Sequence, residues 1–148
     1  HGLRVIEFNA RFGDPETQVL IPRLETPLAQ LLYKAATDSL DDVALSWRDE
    51  SAVTVVLAAQ GYPESPKTKG AITNIPAISK TQIFHAGTSL NGVGLVSSGG
   101  RVLTVTGLGA DLTEARDRAY RAISQIELEG SFYRSDIAFN ASVAEKGN

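Results

Sequence analysis

A run of small and β-branched apolar side chains at residues 52–59 constrains the fold of this chain more than any other segment. Nearly every residue in this run, AVTVVLAA, is apolar, whereas a strand with one solvent-exposed face would alternate apolar and polar residues. β-Branched residues also favour extended backbone. The run therefore predicts a strand that is covered on both faces, which requires further layers of structure around it.

The composition is that of a folded domain and excludes several classes of protein. The chain has 148 residues, of which 43% are hydrophobic and 21% charged, and a chain of this length can bury a sizeable core. The sequence contains no cysteine, which excludes disulfides, thiolate metal ligands and a cysteine nucleophile. The net charge of −3 argues against a nucleic-acid or membrane-surface partner, and no apolar run approaches the ~20 residues of a membrane span.

Three helices are predicted from their starting signals and their apolar spacing. Asp14 as N-cap and Pro15 at the first helical position start the first helix, and Pro22 stops or kinks it within two turns. The second helix follows Pro27, and its apolar stripe consists of Leu28, Leu31, Leu32, Ala35 and Ala36.

Asp111 and Glu114 form a capping box that starts the third and longest helix. Its stripe consists of Leu112, Ala115, Ala119, Ala122, Ile123 and Ile126, and it is expected to end near Gly130.

Short strands are predicted at residues 3–9, 71–75 and 82–86 in addition to residues 52–59. Residues 93–97 and 101–107 flank Ser98-Gly99-Gly100, which is typical of a β-hairpin. The element order predicts an α+β fold with a boundary between Leu40 and Ser51. The part before this boundary resembles a fragment whose sheet lies elsewhere, and the part after it a self-contained unit of about a hundred residues. The chain lacks Met altogether, and we expect it to start inside a longer protein.

Glu7 and Asn9 are the candidate metal ligands. Two residues apart on a strand, their side chains point to the same side, with Cα atoms roughly 6.6 Å apart. A carboxylate and an amide oxygen at this spacing can bind one hard divalent cation such as Mg²⁺. The alternative is that both residues form the solvated end of a strand.

The residues that follow are candidates for binding an anion. Arg11 supplies a planar fork of donors for phosphate or carboxylate, and Gly13 allows a ligand to approach the backbone. The helix start at Asp14 offers backbone N–H groups to an anion. The alternative is an ordinary capped helix with Arg11 as a surface charge. His85 is a single histidine on a predicted strand, and a structural role is predicted for it. The spacing of the glycines is typical of hairpin turns and does not match a phosphate-binding loop.

The segment at residues 5–18 has the sequence Val5-Ile6-Glu7-Phe8-Asn9-Ala10-Arg11-Phe12-Gly13-Asp14-Pro15-Glu16-Thr17-Gln18. It closely resembles the signature of the phosphoribosylamine–glycine ligase family, whose members are ATP-grasp enzymes of purine biosynthesis. Further segments resemble the C-terminal domain of that family in the same order: Ala58-Ala59-Gln60-Gly61-Tyr62-Pro63, Phe84-His85-Ala86-Gly87-Thr88, Gly99-Gly100-Arg101-Val102-Leu103, residues 114–120 and Arg134-Ser135-Asp136-Ile137. The resemblance covers nearly the whole chain.

The resemblance implies a fold and a division into two parts. Residues 1–45 would be the C-terminal end of an ATP-grasp domain. Residues 46–148 would be a small, barrel-like C-terminal domain with a mixed β-sheet and one long helix. The implied protein is a cytoplasmic monomer that binds neither nucleic acid nor membrane.

The resemblance also implies a reaction, in which glycine is joined to 5-phosphoribosylamine through glycyl phosphate while ATP becomes ADP and phosphate. Glu7 and Asn9 would bind Mg²⁺ or Mn²⁺ and Arg11 would face a phosphate, as the catalytic residue. The substrate side would be lined by Gly13, Asp14, Pro15 and Glu16. The family's upstream lysines and a further acidic ligand are missing from this chain, so we expect it not to complete turnover by itself.

Two alternatives to this function remain open at the level of sequence. The chain could act as a packing or interaction module, or it could be the C-terminal part of another ATP-grasp enzyme such as a carboxylase. The run RFGDPETQ favours the ligase over a carboxylase.

Overall fold

The computed structural model describes residues 2–41 and 43–147, which form an α+β structure. The helices in this part of the chain are α1 (Thr17–Arg23), α2 (Leu28–Ala36), α3 (Leu112–Ile123) and α4 (Phe139–Lys146). The strands are β1 (Ser51–Ala58), β2 (Thr81–His85), β3 (Thr88–Asn91), β4 (Gly94–Ser97) and β5 (Arg101–Gly109). No helix among these residues is both long and apolar enough to cross a membrane.

The central sheet has the strand order β1-β5-β2, and both pairings are antiparallel. Val105 in the middle strand lies opposite Val55 on one side and Ile83 on the other. Val55 and Val105 are at most 1% exposed, which confirms that the run at residues 52–59 is a strand covered on both faces. β5 is buried from Val102 to Gly109 because it has a neighbour on each edge and cover on each face.

The expected mixed sheet is wrong, because all named strand pairs are antiparallel. Parallel neighbours need a crossover of a dozen or more residues, usually a helix. No helix lies between Ser51 and Gly109, a segment that the structure describes in full. The strands therefore have no helical crossover that could place them side by side in the same direction.

The hairpin expected around residues 98–100 is also wrong. β4 pairs with β3 instead, through the turn between Asn91 and Gly94, and the two form a separate sheet. The Oδ1 atom of Asn91 accepts a hydrogen bond from Val93 N at 3.0 Å and stabilises this turn. β5 does not pair with β4. Its apolar side chains point to both faces of the strand, and they are buried on both faces only at the central position of the larger sheet.

Helix α3 covers the sheet and confirms the predicted start and buried stripe. Glu114 N donates to Asp111 Oδ1 at 2.7 Å, and Ala115, Ala119, Ala122 and Ile123 are fully buried. The helix approaches β5 so closely that a Cβ atom on Gly107 would lie 2.7 Å from Ala119 N. Glycine in the strand and alanine in the helix are therefore both required by this contact.

The expectation of one long helix reaching Gly130 is wrong, since α3 has 12 residues and ends at Ile123. Beyond it, the backbone of Glu127 exchanges hydrogen bonds with Thr73, with N···O distances of 3.0 and 3.1 Å. These bonds use groups that a longer helix would need. The predicted strand at residues 71–75 is reduced to isolated bridges, Ala71 with Val96 and Thr73 with Glu127, whereas the strand predicted at residues 82–86 is β2.

The N-terminal part contacts the sheet through α1. Pro22 lies inside this helix and is its buried residue, and the helix ends one residue later, as predicted. Residues 46–48 then return beside the end of α1, with Arg48 N donating to Arg23 O at 2.8 Å. Between these segments α2 forms where it was predicted, but none of its residues is buried. The sequence predicts that the polar segment from Asp38 to Asp42 ends this helix, and Asp42 lies outside the described residues.

A pair of buried threonines fixes α1 to the sheet. Thr106 Oγ1 donates to Gln18 O at 2.9 Å, and Thr54 Oγ1 lies 2.7 Å from Thr106 Oγ1. Since the Thr106 hydroxyl has one proton, which it gives to Gln18, Thr54 is the donor within the threonine pair.

We expect Thr106→Val to lower the free energy of unfolding by ~1–3 kcal/mol, because it leaves the carbonyl of Gln18 without its side-chain donor and the hydroxyl of Thr54 with only a long contact to Val105 O, at 3.4 Å. Urea denaturation of the two proteins measures this difference. Thr68→Val, in an exposed loop, is the control and should be close to neutral. Equal stability of the Thr106 variant and the parent would contradict the proposed anchor.

A salt bridge between Glu50 and Lys80 joins the beginnings of β1 and β2. The two charged groups are 2.7 Å apart. The hydrogen bond from Lys80 lowers the pKa of Glu50 below its ordinary value of 4.5, and desolvation of the carboxylate opposes this shift. A carboxylate with a lowered folded pKa stabilises the protein above its unfolded pKa, and this contribution is lost as the pH falls through the folded value.

We therefore expect Glu50→Gln to lower the Tm near neutral pH and to make little difference well below pH 4.5. Thermal unfolding over a pH series measures the gap between variant and parent. The exposed Glu64→Gln is the control. A gap that stays constant as the solution is acidified would rule out this ion pair as its source.

Candidate functional site

Glu7, Asn9 and Arg11 form a chain of contacts along one side of the N-terminal segment. Asn9 Nδ2 donates to Glu7 Oε1 at 3.0 Å, and Arg11 Nη1 donates to Asn9 Oδ1 at 2.5 Å. All three side chains are exposed. The structure thus brings together the two candidate metal ligands and the candidate phosphate-binding arginine.

The strand predicted at residues 3–9 is wrong, because these residues have no secondary structure and their side chains lie in solvent. Leu3, Ile6 and Phe8 are each more than 90% exposed. A strand is stabilised by hydrogen bonds to a neighbour. Within residues 2–41 and 43–147, no named strand or isolated bridge pairs with this segment.

The donor set of this segment fits part of a divalent cation shell. Carboxylate and amide oxygens are the ligand types that Mg²⁺ and Mn²⁺ prefer, and the side chains of Glu7 and Asn9 are in contact. The amide oxygen of Asn9 faces Arg11, so the amide must turn before both oxygens face one ion. Within the described part of the chain, no group of three or more acidic or histidine residues could complete such a shell.

The predicted start of the first helix is wrong by two residues. Asp14, Pro15 and Glu16 form a turn, and the helix begins at Thr17. Thr17 donates to Gly13 O from both its backbone N, at 3.1 Å, and its hydroxyl, at 2.6 Å. The carboxylate of Asp14 accepts from Gln18 Nε2 at 2.9 Å instead of capping the backbone. Thr17 N is therefore already bonded and is not free to bind an anion.

Arg101 contacts this turn, although sequence reasoning assigned no role to it. Its Nη1 atom donates to Asp14 O at 2.6 Å and lies 3.5 Å from Asp14 Oδ2. Its Nε atom donates to Tyr62 OH at 2.9 Å. The hydrogen bond to Tyr62 raises the pKa of Arg101, and the charge of Asp14 adds to this effect. The one signal in the sequence was that Tyr62 and Arg101 both lie in segments that resemble the ligase family.

A cavity of about 340 Å³ lies between the N-terminal segment and β2. It is lined by Phe12, Gly13, Thr17, Gln18 and Ile21 on one side and by Phe84 and His85 on the other. His85 is exposed, and its Nδ1 atom lies 3.0 Å from Thr88 Oγ1. Gly13, a predicted substrate-binding residue, thus lines the same cavity as His85, for which the sequence predicted a structural role.

Comparison with known proteins identifies the family. Residues 52–140 match the family model described as "Phosphoribosylglycinamide synthetase, C domain". The match covers more than half of the 148 residues, and the chain belongs to this family.

The similar proteins are longer than this chain. A phosphoribosylamine–glycine ligase of Streptomyces coelicolor is 56% identical over 97% of this chain and 36% of its own length. The enzyme of the same name from Corynebacterium ammoniagenes is 52% identical over 99% of this chain and 34% of its own length. A crystal structure of the Thermotoga maritima phosphoribosylamine–glycine ligase superposes with a TM-score of 0.78 at 36% identity, over 89% of this chain and 32% of that one. The chain therefore spans about a third of these relatives.

Proposed function

We propose that this chain is part of a phosphoribosylamine–glycine ligase, which joins glycine to 5-phosphoribosylamine while ATP is hydrolysed to ADP and phosphate. The observation that carries this proposal is the 56% identity with a ligase of that name over 97% of the chain. The aligned 97% of the chain omits at most a few residues, so the alignment includes the N-terminal segment where the candidate catalytic residues lie. The protein acts in purine biosynthesis as a cytoplasmic monomer.

The division into two parts remains as the sequence indicated. Residues 1–45 are the end of an ATP-grasp domain, and residues 46–148 are the C-terminal domain. Two observations support this division. The family model begins at residue 52, and the apolar side chains of Leu3, Ile6 and Phe8 are more than 90% exposed, as they would be in a strand separated from its sheet.

Glu7 and Asn9 supply two oxygen ligands to the Mg²⁺ or Mn²⁺ that accompanies ATP. Their side-chain contact and their exposure support this role. The cation neutralises negative charge on the phosphates and orients them when it is bound.

Arg11 faces the phosphate that is transferred. A carboxylate oxygen of glycine attacks the γ-phosphorus of ATP, the bond to ADP breaks, and glycyl phosphate forms. The amine of 5-phosphoribosylamine then attacks the carbonyl carbon, and phosphate leaves. The planar guanidinium of Arg11 suits the charge spread over the phosphoryl oxygens, and Gly13, Asp14, Pro15 and Glu16 line the side where glycine and the amine bind.

A chimera tests the roles of Glu7 and Asn9. This chain replaces the matching third of the Streptomyces coelicolor ligase, and ATP-dependent formation of glycinamide ribonucleotide is measured. We expect Glu7→Gln to lower kcat by about 100-fold, because a neutral amide binds less firmly than a carboxylate the cation whose charge stabilises the transition state. We expect Asn9→Leu to raise the Mg²⁺ concentration that gives half the maximal rate.

The matched control for this experiment is Glu64→Gln, which removes an exposed carboxylate from a loop of the C-terminal domain. It should leave kcat unchanged. The parent chimera must be active for this test. If the Glu7→Gln variant then had the same kcat as the parent, Glu7 would not be a metal ligand.

The 148-residue chain by itself should not form glycinamide ribonucleotide from ATP, glycine and 5-phosphoribosylamine. The reason is that the upstream lysines and the further acidic metal ligand that the family resemblance implies are missing from this chain. The same assay, with the chimera as the positive control, measures this. Turnover by the chain at the rate of the chimera would show that it contains the whole active site.

A further inference from the structure

We propose that Arg101 and Tyr62 are positioning residues of the ligase, which clamp the turn at residues 13–16 to the C-terminal domain and so fix the orientation of Arg11. This inference rests on the proposed function. The observation behind it is that Arg101 bridges Tyr62 and Asp14, residues from two other segments of the chain.

The position of Tyr62 is set by the backbone at Gly100. Ala59 N donates to Gly100 O at 2.8 Å, and Tyr62 N donates to Ala59 O at 3.1 Å. A Cβ atom on Gly100 would overlap the ring of Tyr62. Glycine at this position therefore lets the ring lie against the start of β5, where its hydroxyl meets the next residue, Arg101.

Arg101 is held on a rigid element and uses two different nitrogens. It is the first residue of β5 and pairs with Ala58 of β1. Because Nε is bonded to Tyr62 OH, the plane of the guanidinium is fixed, and Nη1 points at the carbonyl of Asp14. A lysine has one nitrogen on a flexible stem and cannot reproduce this bridge.

The clamp acts on the turn at residues 13–16 and not on helix α1, which begins after this turn. The contact between Thr106 and Gln18 O holds the helix independently. Arg11 itself bonds to Asn9 and to the carbonyl of Phe12, which lie in the same exposed segment. Among the hydrogen bonds from the described N-terminal residues to residues 46–147, the one nearest to Arg11 along the chain is therefore the bond from Arg101 to Asp14. Loss of this contact releases the turn while the sheet stays folded.

The first test measures amide hydrogen exchange on the 148-residue chain itself. In Arg101→Lys, the amide of Thr17, whose bond to Gly13 O closes the turn, should exchange about tenfold faster. Tyr62→Phe, which keeps the ring and removes the hydroxyl, should give a smaller increase. The amides of β1 serve as the internal reference and should not change. The control is Arg121→Lys, at an exposed position of α3.

The second test measures kinetics in the ligase chimera. Arg101→Lys should raise the KM for glycine, and so lower kcat/KM for glycine about tenfold, while the KM for ATP stays nearly unchanged, because the turn lines the glycine side. Arg121→Lys should alter neither value. A loss of folded enzyme alone would instead lower kcat and leave both KM values unchanged.

The outcomes separate this inference from the proposed function. Unchanged exchange at Thr17 in both variants would overturn the clamp. Faster exchange together with parent kinetics would overturn its role in positioning. An inactive parent chimera would count against the ligase assignment, and the exchange measurement on the chain would still decide whether the clamp exists.

Discussion

The close approach of helix α3 to the buried strand β5 is the contact on which the rest of the structure depends. Gly107 and Gly109 in the strand have no side chain, and Ala115 and Ala119 in the helix have small ones, so the two backbones pack directly against each other. This contact places β5 at the centre of the core, with β1 and β2 at its edges. The packing is tight enough that a single added Cβ atom would force the layers apart.

The same strand that organises the core also holds the N-terminal segment. Arg101 at its start bonds to Asp14, and Thr106 near its end bonds to Gln18. The two contacted residues, Asp14 and Gln18, lie on either side of the start of α1 at Thr17. The part of the chain that carries the candidate active-site residues is therefore attached to the C-terminal domain by polar side chains of one strand, which is itself among the most buried elements.

Several elements could be predicted because their signals are local. The capping pair Asp111 and Glu114 starts α3 where expected, and the apolar run at residues 52–59 forms a strand. The predictions that are wrong concern pairing and length. The hairpin formed between β3 and β4, and α3 ended early, because distant segments competed for the same backbone groups. The candidate ligands Glu7 and Asn9 were predicted to share a side, and their side chains do meet although no strand forms around them.

The sequence by itself determined the family resemblance, the buried strand, the starts of α2 and α3 and the residue types available for binding a cation and a phosphate, since each depends on neighbours a few positions away. The tertiary structure alone decided which strands pair and that Tyr62, Arg101 and Asp14 meet. Arg101 lies 39 residues from Tyr62 and 87 from Asp14 along the chain. No local propensity links positions so far apart, and only the packing of β5 against its neighbours brings them within hydrogen-bonding distance.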